Sequence, residues 1–600
     1  MQLPAEKRAV KGYTAHLLAV CGLLLIVYLT VMRTFSQFGF YGEDWRYLHE
    51  IAQQGSVTTV FEGHPLQRLL IEWVFTIIEF NPATGYLLLT IVIVLSALAM
   101  YSVMVLLFPR RRALAVVAST LYVLYPGDPS RLSITQGIGE SGVAVLLALA
   151  SLVLLFAALR LRHSSTSLGG VLTSTSLAFY FLSLMLNEEQ ALLVPALGFV
   201  GAIWVDMSER GLSHRLTSYR MVRPAITRIS PYLLVLISVV VWRIVMVDVG
   251  HEDVFASTAN FNPLHLLGQF FNVYFNGYVE TPIRAMLSAI SFVGHVGLVV
   301  LLVVLLGLSL MAGALLLSPQ RSLVRRTDVS AAGTYVFPGE SRFYLRLLYV
   351  SLILTGIVAA LVLPFGSGSS GDSTLVVVMS MGGAAFLMLW WSALVEQYRD
   401  RRKEIGYAFS FGFAVIAFLL VSFQATGQRD AVEAWNLQQQ YIKQIVADAP
   451  RVAPGTHFHF DGVETAHGSS FVFASTTENM LRLVYGDESI SASVAEHGDS
   501  GYVFNSAGLY RDEQLIAQRS RVVYFTLVSV GCRGLVVEPD CSRLVMSEGG
   551  KTGGQAYAVA NSTSYHSPVE DLFGIRQADE DADAAAPGGT LAAPFDAPPE

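Results

Sequence analysis

Long runs of apolar residues alternate with short polar connections over the first 424 residues, and this alternation stops beyond them. A membrane-spanning helix needs about 20 mostly apolar residues. By that criterion the pattern predicts eleven spans, at residues 14–34, 84–108, 113–127, 138–160, 170–187, 189–206, 230–248, 286–317, 344–364, 374–397 and 405–424. The predicted fold class is therefore mainly α, a polytopic transmembrane helical bundle.

The composition excludes several classes of protein. Of 600 residues, 53% are hydrophobic and 14% are charged, and the mean hydropathy is +0.51. Soluble domains carry about a quarter charged residues, so an ordinary soluble enzyme is excluded. The formal net charge of −7 has no accompanying basic surface, which excludes nucleic acid as a partner.

The basic residues predict the orientation in the membrane, because they are retained on the cytoplasmic side. They occupy the N-terminal segment and alternate connections: Lys7, Arg8, Lys11, residues 110–112, Arg160, Arg162, residues 210–228, Arg321, Arg325, Arg326 and residues 399–403. The N-terminus is thus predicted inside the cell (inner) membrane, and everything after residue 424 outside it, in the periplasm or the extracellular space. No small-residue cleavage site follows the first run, which predicts an uncleaved span.

Three domains are predicted: a transmembrane domain at 1–424, an exported α/β domain at 425–565, and a disordered acidic, Ala- and Pro-rich tail at 566–600. The exported part shows a helical pattern at 431–446 and strand-like runs at 457–460, 470–474, 522–529 and 534–537. Cys532 and Cys541 lie in this part, either as a disulfide or as two thiols, and Cys21 is expected to pack within the first span.

The first outer loop, residues 35–83, carries the main candidates for chemistry. A helix is predicted to begin at Glu43-Asp44 and to stop at Gly55, and a second begins at Pro65. Their apolar stripes suit helices lying in the membrane interface. The acidic pair either complements the helix dipole or does catalysis. Since consecutive helical residues point about 100° apart, one acid is expected to serve as general base while its neighbour orients a partner or contacts a cation.

Further ionisable residues lie at the predicted outer border of the membrane. Glu188 and Glu189 occupy a tight turn between two spans, and they are either functional or solvated turn residues. Glu140 opens the fourth predicted span and is a weaker candidate, while Asp128 indicates a turn.

The few cations on this side have two interpretations. Arg243 and Arg284 either bind a phosphate, which matches the fork of guanidinium donors, or extend to lipid headgroups. His64 either binds a ligand or caps the helix that follows, and capping is the favoured interpretation. The sequence has no Walker loop, no zinc-spaced Cys/His set and no Gly-x-Ser-x-Gly elbow, which argues against an ATP-driven pump or a common hydrolase.

Taken together, these features resemble the GT-C superfamily of membrane glycosyltransferases. Bacterial members read roughly Asp-Asp-Trp-x-x-Leu, then Gly-Arg-Pro-Leu, with a later Glu-x-Ala-Leu heading a span. The corresponding residues here are 43–48 (Glu-Asp-Trp-Arg-Tyr-Leu), 63–66 (Gly-His-Pro-Leu) and 189–192 (Glu-Gln-Ala-Leu). Glu43 thus replaces the first acid of the pattern, and His64 stands where Arg is expected.

The resemblance implies a hexosyl or pentosyl transferase that uses a polyprenyl-phosphate sugar from the bilayer. Asp44 would deprotonate the acceptor hydroxyl of an envelope glycan, glycolipid or protein, with inversion at the anomeric carbon. Glu43 or Glu189 would orient the acceptor or support a divalent ion, and Arg243 would hold the lipid phosphate. Members of the superfamily differ in their need for a divalent cation, so the cofactor requirement stays open.

Three other functions are compatible with parts of the sequence. A flippase or transporter for a lipid-linked glycan predicts polar residues buried in mid-span, whereas the ionisable residues here gather at the predicted outer border. A glycan polymerase or ligase would use a large outer loop, for which residues 249–283 are the candidate, with Glu252, Asp253 and the aromatic residues Phe255, Phe261, Phe270, Phe271 and Tyr274. A purely structural anchor would need only one span.

Overall fold

The chain is represented by a computed structural model. The structure describes residues 5–57, 64–109, 111–126, 132–161, 165–187, 192–210, 219–247, 263–292, 340–362, 373–398 and 402–461, and then 466–467, 470–471, 476–495, 502–504, 508–511, 514–529 and 542–546. The predicted tail at 566–600, the strand at 534–537, Asp128, Glu188, Glu189, Cys532 and Cys541 therefore lie outside the described residues.

Helices make up most of the described chain. They are α1 (Ala5–Val27), α2 (Glu43–Gln54), α3 (Pro65–Ile78), α4 (Pro82–Leu107), α5 (Arg112–Leu124), α6 (Gly142–Leu161), α7 (Thr166–Leu186), α8 (Leu193–Arg210), α9 (Tyr219–Val247), α10 (Pro263–Phe275), α11 (Thr281–Phe292), α12 (Glu340–Val362), α13 (Ser373–Gln397), α14 (Arg402–Asp448) and α15 (Thr477–Tyr485). Three π-helical segments, Tyr28–Met32, Thr135–Glu140 and Asn276–Glu280, adjoin them.

Among the described residues, eight helical stretches are long and apolar enough to cross a membrane. They are His16–Gln37, Pro82–Leu107, Thr135–Leu161, Thr166–Leu186, Val222–Arg243, Ser341–Ala359, Leu375–Val395 and Glu404–Asp448. Two predicted spans correspond to shorter apolar helices, Arg112–Leu124 and Leu193–Asp206. The mainly helical class is confirmed, whereas the count of eleven spans is not.

The short helix α5 lies in the core of the bundle. Eleven of its 13 residues are buried, and helices apolar on every side are typical of a protein interior. Ser119 and Thr120 satisfy their hydroxyls within the helix: Ser119 donates to the carbonyl of Ala115 and Thr120 to that of Val116, both at 2.8 Å. Cys21, expected to pack, is instead exposed on α1.

The predicted loop at 249–283 is partly helical. From Pro263 the chain forms α10, the π-helical segment Asn276–Glu280 and α11 without a break. An exposed apolar stripe runs along this stretch at Leu267, Phe271, Phe275, Val279, Ile283 and Leu287, at the four-residue spacing of one helix face. These helices were not predicted, because the polar residues Asn272, Asn276 and Glu280 interrupt the apolar run without breaking the helix. The outer position of the segment stays a prediction. Residues 293–317 of the eighth predicted span lie outside the described residues.

The last span continues into the helix predicted at 431–446, so that α14 is a single helix of 47 residues. Only Gly427 stands between the two predicted segments as a helix-weakening residue. A glycine in a helix interior costs about 1 kcal/mol relative to alanine, which is too little to end a helix that is otherwise well packed.

By compactness the chain divides into two units, Met1–Asn436 with Glu464–Thr476, and Leu437–Val463 with Thr477–Glu600. The domain boundary predicted at residue 424 stays a prediction. Within the second unit, a four-stranded sheet has the order β4-β1-β8-β9, with β1 at His457–Asp461, β4 at Ser491–Ala495, β8 at Val522–Ser529 and β9 at Ser542–Met546. Strands β4 and β8 both pair with β1 in parallel.

Smaller β elements complete the description. Strands β2 (Ala466–His467) and β3 (Ser470–Phe471) pair antiparallel, and β5 (Tyr502–Phe504), β6 (Gly508–Arg511) and β7 (Gln514–Gln518) form an antiparallel sheet. The strands predicted at 457–460 and 522–529 are confirmed within one residue. Strand β4 and the β5–β7 sheet were not predicted: β4 consists mainly of small residues, and β5, β6 and β7 have only three, four and five residues.

Candidate catalytic site

The first predicted outer loop folds into the two expected helices. Helix α2 begins at Glu43 and ends at Gln54, where Gly55 adopts a left-handed conformation with φ +68°, which favours glycine. Helix α3 begins at Pro65. It buries Ile71, Val74, Phe75 and Ile78 and exposes Leu69, Trp73 and Ile77 on another face. Helix α3 has 14 residues and exposes an apolar stripe on one face. Its position in the membrane interface stays a prediction.

Asp44 lies in the first turn of α2 and is completely buried, with 0% exposure. Its Oδ1 accepts hydrogen bonds from the amide of Thr135 at 2.9 Å and from the hydroxyl of Thr135 at 2.6 Å. Its Oδ2 accepts one from the amide of Tyr41 at 3.2 Å. The carboxylate therefore joins the first predicted outer loop to the π-helical segment that precedes α6.

Burial raises the pKa of Asp44 to about 6, and hydrogen bonds from Thr135, Tyr41 and Ile134 partly oppose that rise. Burial disfavours the charged form of a carboxylate, whereas donors aimed at it favour that form. A general base works best when its pKa lies near the operating pH, so this carboxylate has the acid–base property that proton abstraction needs near neutral pH.

Glu43 points elsewhere, as expected for consecutive helical residues. Its Oε2 lies 2.9 Å from Nη1 of Arg46, and the side chains of Glu43 and Arg46 stay 37% and 33% exposed. Arg46 also donates to the hydroxyl of Tyr47 at 3.0 Å. The acidic pair therefore consists of one buried and one accessible carboxylate.

Residues 428–435 of α14 contact the chain segments on either side of Asp44. Residues 424, 428, 431 and 435 share one face of this helix. The hydroxyl of Tyr41 donates to the carbonyl of Ala431 at 2.6 Å, and Gln428 accepts from Thr34 at 3.0 Å. The indole of Trp435 stacks on that of Trp45, with centroids 6.2 Å apart. These contacts anchor the loop on both sides of the acidic pair.

His64 occupies the N-cap position of α3, but its side chain makes no capping hydrogen bond. The expected capping role is therefore wrong. A capping side chain is usually a short one with an oxygen acceptor, as in Ser, Thr, Asp or Asn, whereas His64 offers only ring nitrogens on a bulkier side chain.

The predicted cations have other contacts. Nη2 of Arg243 donates to the carbonyl of Leu184, near the end of α7, at 2.7 Å. Arg284 is exposed and pairs with Glu280. Glu140 closes the π-helical segment Thr135–Glu140. Because Glu188 and Glu189 lie outside the described residues, their roles stay predictions.

Two partners of Asp44 were not predicted from the sequence: Thr135 and Tyr41, which donate hydrogen bonds to its carboxylate. Thr135 lies 91 residues from Asp44, a separation that no local pattern can bridge. The only available signal was a short polar run, Ser133 to Gln136, just ahead of a predicted span. Across the part of the chain that the structure describes, no group of three or more His, Cys, Asp or Glu residues could hold a metal ion.

The eight candidate spans define the class of this chain, a multi-pass membrane protein. Comparison with solved structures finds ArnT from Cupriavidus metallidurans, in the apo state and bound to undecaprenyl phosphate. Both align at 14% identity and a TM-score of 0.30, over 78% and 79% of this chain and 85% and 89% of theirs. Such a TM-score does not establish a shared fold. No family model and no curated protein matches the chain.

Proposed function

We propose that this chain is a membrane glycosyltransferase that moves a sugar from a polyprenyl-phosphate donor to an acceptor hydroxyl on the outer face of the membrane. The observation that carries the proposal is Asp44, a buried carboxylate with a pKa of about 6 at the start of a loop helix. The described part of the chain around it contains eight candidate spans. The motif resemblance at residues 43–48, 63–66 and 189–192 supports the same function.

Asp44 is the proposed general base. It removes the proton of the acceptor hydroxyl while the oxygen attacks the anomeric carbon of the donor. The bond between that carbon and the phosphate oxygen breaks, and the lipid phosphate leaves with the bonding electrons. The configuration inverts because the hydroxyl oxygen attacks on the face opposite the leaving phosphate. Since the lipid phosphate is itself the leaving group, no nucleotide site is needed. Arg243 is proposed to hold the phosphate, for which its guanidinium has the matching geometry.

Access to Asp44 requires that acceptor binding uncover it, since its exposure is 0%. Catalytic hydrogen bonds are often completed only in the substrate complex, so a covered base is compatible with this role. Glu43 is the second candidate for the base, because 37% of its side chain is exposed and it adjoins Asp44 in the same helical turn.

The function is tested by reconstituting the full chain in liposomes with radiolabelled polyprenyl-phosphate hexoses and pentoses and an envelope-glycan extract as acceptor. The expected result is label on the glycan, joined with the anomeric configuration opposite to that of the donor by NMR. Label that crosses the bilayer while still lipid-linked would instead indicate a transporter. Growth of a lipid-linked glycan would indicate a polymerase or ligase. Either result, without transfer to the acceptor, contradicts the proposal.

A further inference from the structure

Thr135 provides two hydrogen bonds to one oxygen atom of Asp44. Its backbone amide lies 2.9 Å and its hydroxyl 2.6 Å from Oδ1. Donors from one residue that converge on one carboxylate oxygen restrict both the position and the rotation of the carboxyl group. Hydrogen bonds to ionised groups are shorter and about twice as strong as those between neutral groups.

The contact is sealed from water, since Asp44 is 0% and Thr135 is 1% exposed. Water therefore cannot replace the hydroxyl of Thr135 if that hydroxyl is removed. In a buried polar network an acceptor that loses one donor has no water to replace it. The orientation of the Asp44 carboxylate thus depends on residue 135 itself.

The segment carrying Thr135 is fixed from a second side. The hydroxyl of Tyr86, at the start of α4, donates to the carbonyl of Leu132 at 2.9 Å. Thr135 also begins the π-helical segment Thr135–Glu140, and π-helical irregularities frequently lie at functional sites. The segment is therefore held in place while its first residue points two donors at the carboxylate.

We infer that Thr135 is a positioning residue, which holds the Asp44 carboxylate in the orientation required for proton abstraction. This inference rests on the proposed glycosyltransferase function and on Asp44 as its base. Thr135 does not touch substrate in this account and acts only through Asp44.

Substitutions at position 135 separate the hydroxyl from the rest of the residue. Thr135→Val keeps the branched shape and the backbone amide and removes only the hydroxyl donor. Thr135→Ser keeps the hydroxyl and removes a methyl group. The matched control is Thr90→Val, because Thr90 is equally buried and its hydroxyl donates within α4, to the carbonyl of Tyr86 at 2.7 Å.

The test measures sugar transfer by the full-length variants between pH 5 and 8. Thr135→Val is expected to lower kcat on the order of 10- to 100-fold, as for the loss of one hydrogen bond to a charged group. It should also shift the midpoint of the acidic limb upward by about one pH unit, because the ionised form loses a donor. Thr135→Ser and Thr90→Val should keep the wild-type midpoint.

An unchanged midpoint in Thr135→Val, or Thr135→Ser impaired as much as Thr135→Val, would overturn the inference. A smaller folded fraction lowers the apparent kcat but does not move the midpoint of the acidic limb. The midpoint therefore distinguishes positioning of Asp44 from a merely structural role of Thr135. If the valine variant fails to fold, Thr135→Ala is measured in the same way. Asp44→Asn is assayed alongside: wild-type transfer by that variant refutes the base role itself, whereas loss of transfer leaves the Thr135 result as a test of positioning alone.

Discussion

At the scale of single residues, the acidic pair places one carboxylate, that of Asp44, at 0% exposure and leaves 37% of the neighbouring Glu43 side chain exposed. The acidic pair could be predicted, because two adjacent carboxylates at a helix start are visible in any window of the sequence. The division of that pair into buried Asp44 and accessible Glu43 could not, since it depends on Thr135, 91 residues away. For His64 the position just before a helix was predicted, but the expected capping hydrogen bond is not made.

The pKa of Asp44 predicts how activity depends on pH. A base must be ionised to accept a proton, and burial raises the pKa of this carboxyl to about 6. The wild-type kcat/KM for sugar transfer should therefore fall as the pH drops through 6 and level off above about pH 7. A rate that stays constant between pH 5 and 8, or that falls as the pH rises through 6, would contradict this assignment.

At the scale of helices and strands, the pattern of apolar residues predicted which segments are helical better than it predicted whether neighbouring helices are joined. The start of α2, its stop at Gly55 and the start of α3 were all predicted, because proline, glycine and acidic residues mark helix ends locally. The fusion of two predicted helices into α14 and the helix from Pro263 were missed, since only packing decides whether a polar interruption ends a helix.

The contact between the first loop and α14 predicts a strong effect at Gly39. A Cβ atom at this position would lie 1.9 Å from ring atoms of Trp435, so Gly39→Ala must displace the indole that stacks on Trp45. Overpacking of a filled interior costs typically 1–3 kcal/mol. The apparent melting temperature of the detergent-solubilised protein should fall, and transfer should weaken with it.

The control for Gly39→Ala is Gly170→Ala. Gly170 lies in α7, and a Cβ atom added there would meet no other atom within 4 Å, so alanine should leave stability unchanged or raise it by up to about 1 kcal/mol. Equal melting temperatures for the two variants would mean that Trp435 does not pack on Gly39 as described.

At the scale of the whole molecule, the composition predicted the membrane class, and the polar C-terminal part predicted a separate α/β fold. The described residues contain both a helical bundle and a mixed four-stranded sheet, in which β1 pairs in parallel with β4 and β8 while β8 and β9 are antiparallel. The orientation in the membrane and the 424 boundary stay predictions, because charge distribution reports on insertion and not on the packing of helices. The parallel pairing of β1 with β4 and β8 joins residues far apart in the chain, so no local pattern contains it.

The second unit should lose stability in mild acid through His457. Burial, together with the neighbouring His459, lowers the pKa of His457 to about 4, and its ring nitrogens contact Ser491 and Ser493 at 2.8 Å. The unfolded chain binds a proton near pH 6.5, so stability falls by up to about 3 kcal/mol as the pH drops from 6.5 to 4. Hydrogen exchange of residues 457–461, corrected for intrinsic rates, should show this loss.

The matched variant for this effect is His457→Gln, which keeps a polar side chain facing both serines and removes the titrating group. Its protection against exchange should depend less on pH than that of the wild type. Protection of residues 457–461 that is equal at pH 7 and pH 5 in the wild type would contradict the assignment.

The central claim, that Asp44 is the base of a sugar transferase, is tested most directly by the initial rate of sugar transfer for Asp44→Asn in liposomes, measured beside Glu43→Gln and the control Glu433→Gln. Glu433 forms an ion pair with Arg429 one turn away, and its variant should match the wild type. A placed base contributes typically 10²–10⁴-fold, so Asp44→Asn should lose at least about 100-fold while staying folded, and Glu43→Gln should lose less. Transfer by Asp44→Asn within about twofold of the wild-type rate would contradict the account.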